Sequence, residues 1–202
     1  MAVPDVKHFD PDAALDTAMR LFWRRGVSAT GVQDVVTATG VNRSSLYATF
    51  GGKRDLYLAA LRRYVDQRSR PALRRLADDP RGLPAITDFF GALVEARCTG
   101  EHARWGCLVS NAHTGADDDP EVREVLRLHH ELLRDAMRAA LARARAAGEL
   151  GPAVDPESAA DVLALLAYGV NLRSRAGADP KSLTQTVATA VGSLATRTEE
   201  VP

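Results

Sequence analysis

Aspartate followed by proline occurs five times in this chain, at Asp10-Pro11, Asp79-Pro80, Asp119-Pro120, Asp155-Pro156 and Asp179-Pro180. The pair opens helices. The carboxylate accepts the orphan N–H groups of the first turn, and proline at the next position forfeits only a donor that had no partner. Four of the five precede a long segment with helical apolar spacing, whereas Gly82 and Pro84 after Asp79-Pro80 predict a short loop first. Behind Asp10, Leu15, Ala18, Leu21 and Phe22 share one face until Gly26. Behind Asp119, the apolar period runs from Val122 and Val125 through Leu133, Met137 and Leu141 to Gly148. From Pro156 to about Ala176 the chain is apolar nearly all round, which predicts a helix buried on more than one side. From Pro180 to about Thr196, Leu183, Val187, Val191 and Leu194 form one stripe. No stretch alternates as a strand bounded by hairpin turns would. The predicted fold class is all-α, with about nine helices.

The hydrophobic share, 46%, suits packed domains and excludes a disordered chain. The longest apolar run, Val162 to Val170, is about half of what a membrane span needs, so no membrane is expected as a partner. Met1 to Asp10 lacks the basic-then-apolar layout of a secretion signal. Two cysteines, Cys98 and Cys107, make no disulfide framework, and a cytoplasmic protein is expected. Net charge is +0, but it is unevenly spread. Residues 1–75 hold 13 Lys/Arg against 7 Asp/Glu, and the remainder holds 13 against 19. That split suits a basic module facing a polyanion, carried on an acidic body.

Between residues 27 and 60 the helix signals become dense. Thr30-Gly31-Val32-Gln33 matches a capping box, with Thr30 bonding the N–H of Gln33 and Gln33 reaching back. A short helix follows to about Thr39, with Val32, Val35 and Val36 inward, and Gly40 stops it. Asn42 then caps a second short helix to Tyr47 or Ala48, and Gly51-Gly52 breaks the chain before Lys53. Two short helices joined by a brief turn containing glycine form a helix-turn-helix. The second exposes Arg43, Ser44, Ser45 and Thr49, a set suited to phosphates and base edges, while Leu46 and Phe50 point to the core.

These residues resemble the N-terminal DNA-binding domain of the TetR family of bacterial transcriptional repressors. The resemblance covers residues 9–57. Its matching runs are Gly26-Val27-Ser28-Ala29-Thr30-Gly31-Val32-Gln33-Asp34-Val35, then Thr39-Gly40-Val41-Asn42-Arg43-Ser44-Ser45-Leu46-Tyr47, then Phe50-Gly51-Gly52-Lys53-Arg54-Asp55-Leu56-Tyr57. Ala48 and Thr49 depart from the family's common His-Tyr, and Asn42 from its usual Ser. The resemblance implies a three-helix DNA-binding domain over 1–52 and a larger helical ligand-binding and dimerisation domain over 53–202. It also implies a regulator, acting as a repressor in the family's manner, that leaves a pseudo-palindromic double-stranded operator when a small molecule or an electrophile binds.

Roles follow from side-chain chemistry together with that resemblance. The second helix enters the major groove, with Arg43 placed for guanine or backbone contact because its fork fits a bidentate acceptor pair. Ser44, Ser45 and Thr49 are short hydroxyl donors. Tyr47 resembles the family's phosphate-contacting tyrosine, and Lys53 opens a helix where anions are favoured. Thr30, Gln33 and Asn42 complete the DNA-binding set, with Thr30 and Asn42 serving as caps, readers or both. One such module reads few base pairs, so two copies are expected on half-sites about 34 Å apart or a multiple of that. The homodimer is expected through the helices near 156–176 and 180–196, where Gly169, Ala190 and Gly192 permit close approach.

The candidate effector-binding residues are Phe89, Phe90, Trp105, Cys107, His113, His129 and Tyr168. Each aromatic is either pocket lining or core. Cys107, behind Gly106 in a segment resembling one near the ligand pocket of some members, is either a reactive sensor or a small buried hydrophobe. Cys98 is read as packing. No catalytic residue, metal ligand or cofactor is expected: no histidine follows Glu by three, and HExxH, GxSxG, GxGxxG and GxxxxGK are absent. A non-sensing DNA-binding protein and a stand-alone helical small-molecule-binding protein are the alternatives to a ligand-responsive regulator.

Overall fold

The computed structural model describes residues 9–113 and 119–196. Among them the only β-type pairing is one isolated bridge, Leu150 to Ala195, and the rest is helix and connection. The chain divides into two compact units, one ending at Tyr64 and the other beginning at Val65.

The first unit holds α1 (Pro11–Arg25), α2 (Val32–Thr39), α3 (Arg43–Phe50) and α4 (Lys53–Tyr64). Asp10 caps α1 as expected, its carboxylate accepting from the N–H groups of Asp12 and Ala13. The core is more aromatic than the one expected stripe. Phe22 meets Tyr57 edge-on at 5.3 Å, and Trp23 meets Tyr64 edge-on at 5.0 Å. Such pairs contribute about 0.5–1.5 kcal/mol beyond the area they bury. Burial pushes the Tyr57 phenol up to about 12. Outside this core, Arg63 on α4 donates to Asp16 at 2.5 Å and Asp12 at 2.7 Å on α1, which raises its own pKa further. The boundary expected between Gly52 and Lys53 therefore precedes the observed division by the whole of α4, because α4 packs on α1.

The second unit begins with a π-helical turn, Val65–Ser69, and continues through α5 (Arg70–Asp78), α6 (Gly82–Cys98), α7 (Leu108–Ala112), α8 (Pro120–Ala146), α9 (Pro156–Arg175) and α10 (Pro180–Gly192). Helical assignment is unbroken from Lys53 to Asp78; counted as one run, it brings the described residues to nine helices. Asp119, Asp155 and Asp179 cap α8, α9 and α10 with proline at the start of each helix. Asp79 instead ends α5, and its carboxylate accepts from the backbone N–H of Arg81 in the short loop before α6. The core gathers Ile86 and Phe90 of α6, Met137, Ala140 and Leu141 of α8, and Leu163 and Ala164 of α9. Among the described residues no helix is long and apolar enough to cross a membrane.

Within a single chain α9 is buried on one side: Val162, Leu165 and Leu172 are 57%, 65% and 63% exposed, so the second buried side expected of this helix is not supplied by the chain's own core. Leu165, Gly169 and Leu172 lie three, seven and ten residues beyond Val162 along one helical face. Ala160, Leu163, Ala164 and Ala167 face the core. A single chain thus covers one side of α9 and leaves an apolar stripe bare.

Candidate nucleic-acid interface and effector unit

The turn between α2 and α3 is built from local hydrogen bonds. Gly40 closes α2 in the left-handed conformation, its N–H reaching the carbonyl of Val36. Asn42 caps α3: its Oδ1 accepts from the Ser45 N–H at 2.8 Å and from the Ser44 hydroxyl at 2.7 Å. α3 then runs two or three residues further than expected, to Phe50, and ends on Gly51. Leu46 is buried against this unit's core, while Phe50 is only half-buried.

The first helix opens differently from the expected capping box. Thr30 is fully buried, and its hydroxyl donates to the carbonyl of Gly26 at 2.7 Å. The N-cap is Gly31, and Asp34, not Gln33, reaches back to accept its N–H at 2.7 Å. The physical reason is register: with the N-cap at Gly31 the third helical residue is Asp34, one position beyond Gln33, and Arg25 holds its carboxylate from the other side at 3.0 Å. Thr30 is therefore committed to the α1–α2 loop, and Gln33 is left exposed.

Of the other expected DNA-binding residues, Arg43, Ser44 and Thr49 are exposed on α3, and Ser45 and Tyr47 are half-buried. The Arg43 guanidinium lies 5.1 Å from the centre of the Tyr47 ring. A cation over a ring face at an exposed site gains about 0.5–1 kcal/mol. That contact restricts where the fork points before any DNA arrives. Tyr47 and Lys53 also line one shallow crevice with Val32, Val35, Leu46 and Leu56 at the start of α4. The Arg43–Tyr47 stacking was not anticipated, although their i, i+4 spacing on a helix is its signal.

In the second unit the expected effector residues separate. Phe90 is fully buried core, and Phe89 is half-buried beside it, the rings meeting edge-on at 5.4 Å. Trp105 packs edge-on against His102 at 4.7 Å, in a loop stitched to its surroundings. Its carbonyl accepts from Asn111 Nδ2 and Arg175, both at 2.8 Å. Cys107 follows this loop at the N-cap of α7 and is 3% exposed. Cys98 is half-buried against the core, and burial raises its thiol pKa.

Three histidines surround Tyr168. His113, itself exposed, meets the ring edge-on at 5.2 Å; His130 stacks on it at 6.0 Å; His129 lies tilted at 6.4 Å. His129 is buried, with Nε2 at 3.1 Å from the Ser69 hydroxyl. Its Nδ1 and the Tyr168 hydroxyl are buried atoms with no hydrogen-bond partner among the described residues. Burial, with His113 and His130 nearby, lowers the His129 pKa to about 4. Burial, with Cys107 nearby, raises Tyr168 to about 12. His129, His113, Tyr168 and Cys107 thus share one neighbourhood, and Phe89 and Tyr168 both pack against the core cluster that holds Phe90.

Against known proteins, residues 14–60 match the family described as bacterial regulatory proteins, tetR family. Residues 82–190 match the tetracyclin repressor-like, C-terminal domain. The HTH-type transcriptional repressor ComR of Escherichia coli K12 is 33% identical over 186 residues, covering 91% of this chain and 88% of that protein. The HTH-type transcriptional repressor BdcR of the same organism is 27% identical over 200 residues, covering 96% and 93%. Among solved structures, a cysteine mutant of the TetR family transcriptional regulator CifR, complexed with 26 bp double-strand operator DNA, superposes with a TM-score of 0.82. It is 28% identical, covering 94% of this chain and 99% of that one.

Proposed function

The chain belongs to the tetR family of bacterial regulatory proteins, and from that premise we propose that it is a cytoplasmic, homodimeric repressor that releases its operator when an effector reaches the second unit. It is a DNA-binding transcriptional regulator, not an enzyme. The observation that carries the DNA-binding assignment is the exposed face of α3, where Arg43 is held over Tyr47 and the Asn42 side chain is spent on capping. On this reading Arg43, Ser44, Ser45 and Thr49 face the major groove. Tyr47, Lys53 and Gln33 bind phosphates, Asn42 fixes the helix start, and Thr30 braces the loop behind it. We assign DNA binding to the unit ending at Tyr64, and effector reception and dimerisation to the other.

Two features support the remaining parts of the proposal. The bare stripe of Val162, Leu165 and Leu172 suits a second copy of α9, and pairing supplies the two half-sites one module lacks. The unpartnered Nδ1 of His129 and hydroxyl of Tyr168, close to Cys107, are groups an effector would satisfy or a modified Cys107 would disturb.

The test begins with selection of an operator from random DNA, followed by binding titrations with and without a thiol-reactive quinone. Arg43→Ala should weaken specific binding by about 1–3 kcal/mol while leaving dimerisation and the unfolding midpoint in place. Unchanged affinity would remove α3 as the reading helix. Quinone release that disappears in Cys107→Ser supports a covalent signal. Release that survives the substitution rules out Cys107, and no release at all leaves a reversible ligand as the signal.

A further inference from the structure

The seam between α5 and α6 opens as a groove of about 530 Å³, within the range of about 300–1,000 Å³ usual for small-molecule sites. Its openness has a cause in the sequence. Where most helix pairs interlock large side chains, this seam presents Ala72, Ala92 and Ala96, too short to fill the space between the helices. Leu76, Phe89 and Leu93 line the same groove and give it an apolar wall.

The charges along it are not balanced. Asp79 and Asp88 line the groove, but Arg81 pairs with both, at 2.7 and 2.9 Å. Arg68, Arg75 and Arg97 also line it; Arg97 donates to Asn171 Oδ1 at 2.7 Å, whereas Arg68 and Arg75 have no carboxylate partner among the described residues. The π-helical turn carries Arg68, and Arg75 lies seven residues on, two turns along the same helical face. The groove therefore offers two spare guanidinium groups beside a strip of hydrocarbon. A cation would be repelled. A wholly apolar molecule would use only the wall and would crowd the arginines' hydration. A polyphosphate would use only the charges and leave the apolar wall bare.

We propose that this groove binds an amphipathic monoanion, a straight-chain or aryl carboxylate whose head pairs with Arg68 and Arg75 and whose tail lies on Leu76, Phe89 and Leu93. The guanidinium fork suits a carboxylate because two parallel N–H groups meet two oxygens. The inference names an effector class for the second unit, and so rests on that unit being where a signal is received; the binding itself needs no DNA.

Calorimetric titration of the full-length protein with decanoate, and with decan-1-ol as the neutral control, tests it. Decanoate should bind one molecule per chain, at least about tenfold more tightly than decan-1-ol. The double variant Arg68→Ala/Arg75→Ala, both exposed positions, should lose about tenfold or more for decanoate and nothing for the alcohol. Ala92→Trp, which fills the seam from an exposed position, should weaken both ligands. Circular dichroism confirms that the variants are folded. Equal decanoate affinity in the double variant, equal affinity for the alcohol, or no binding overturns the proposal. Operator binding measured on the same preparations separates the two readings: decanoate bound in the groove without any change in operator affinity upholds the site and removes its effector role.

Discussion

His129 is a base placed where its charged form is penalised. Burial holds its pKa near 4, against 6.5 for a free side chain, and its Nε2 meets only the neutral Ser69 hydroxyl. At neutral pH it is uncharged in both the folded and the unfolded chain and favours neither. As pH falls below 6.5, the unfolded chain takes up a proton that the folded chain refuses, so stability drops, by up to about 1.4 kcal/mol per pH unit. The loss levels off once pH passes the folded value near 4. Urea midpoints at about pH 7 and about pH 5 should show this fall, and His129→Gln should lessen it, leaving the share of His113, whose pKa burial also lowers. An unchanged slope would mean that His129 carries its proton in the folded state. At this scale the sequence was readable wherever a side chain acts on its own turn. Asn42 is such a case, because the cap and its Ser45 N–H are three residues apart. Thr30 does not cap α2 because its hydroxyl is spent on the Gly26 carbonyl, and the N-cap moves one residue on to Gly31, where Asp34 makes the return in place of Gln33. The meeting of His113, His129 and His130 at Tyr168 draws on three separate helical segments, and no local spacing encodes it.

Helix ends follow the same rule. Four Asp-Pro pairs marked starts that the structure keeps, because a cap needs only its own first turn. What was not legible is how closely elements approach. α6 begins at Gly82 because the end of α8 leaves no room for more: a Cβ there would lie 2.4 Å from the Ala144 Cα and 2.6 Å from its Cβ. The same closeness lets Glu149 accept the Leu83 N–H at 2.7 Å, a cap supplied from 66 residues away in place of a local side chain. Gly82→Ala should force the two helices apart and cost about 2–3 kcal/mol in a denaturant titration. Gly91→Ala is the internal control: it lies mid-helix, exposed, with nothing within 4 Å of the added carbon. That change should be neutral or stabilising by up to about 1 kcal/mol, since alanine is the better helix former. Equal costs at both positions would mean that α6 can slide on α8. Five-residue α7 escaped the periodicity reading for a different reason: it is too short to show a period.

Across the whole molecule, fold class, the DNA-binding module and the family were legible from the chain, whereas the bare side of α9 was not. Its apolar residues run nearly all round because two different surfaces need them, one in the chain's own core and one facing outward. A single sequence records both demands without saying which residue answers to which. If the outward stripe joins two copies, Leu165→Glu should convert a dimer to a monomer in light scattering. The monomer should retain its fold, because the replaced side chain is 65% exposed in one chain. Operator affinity should fall with the dimer, since each copy then binds its half-site alone. A dimer that persists would place the joint elsewhere. The stripe also makes the protein a meter of its own abundance. While single chains predominate, the paired form grows as the square of their concentration, so halving the supply removes roughly three quarters of it. Dilution through growth and division would then ease repression in a steep step, before any effector has been met.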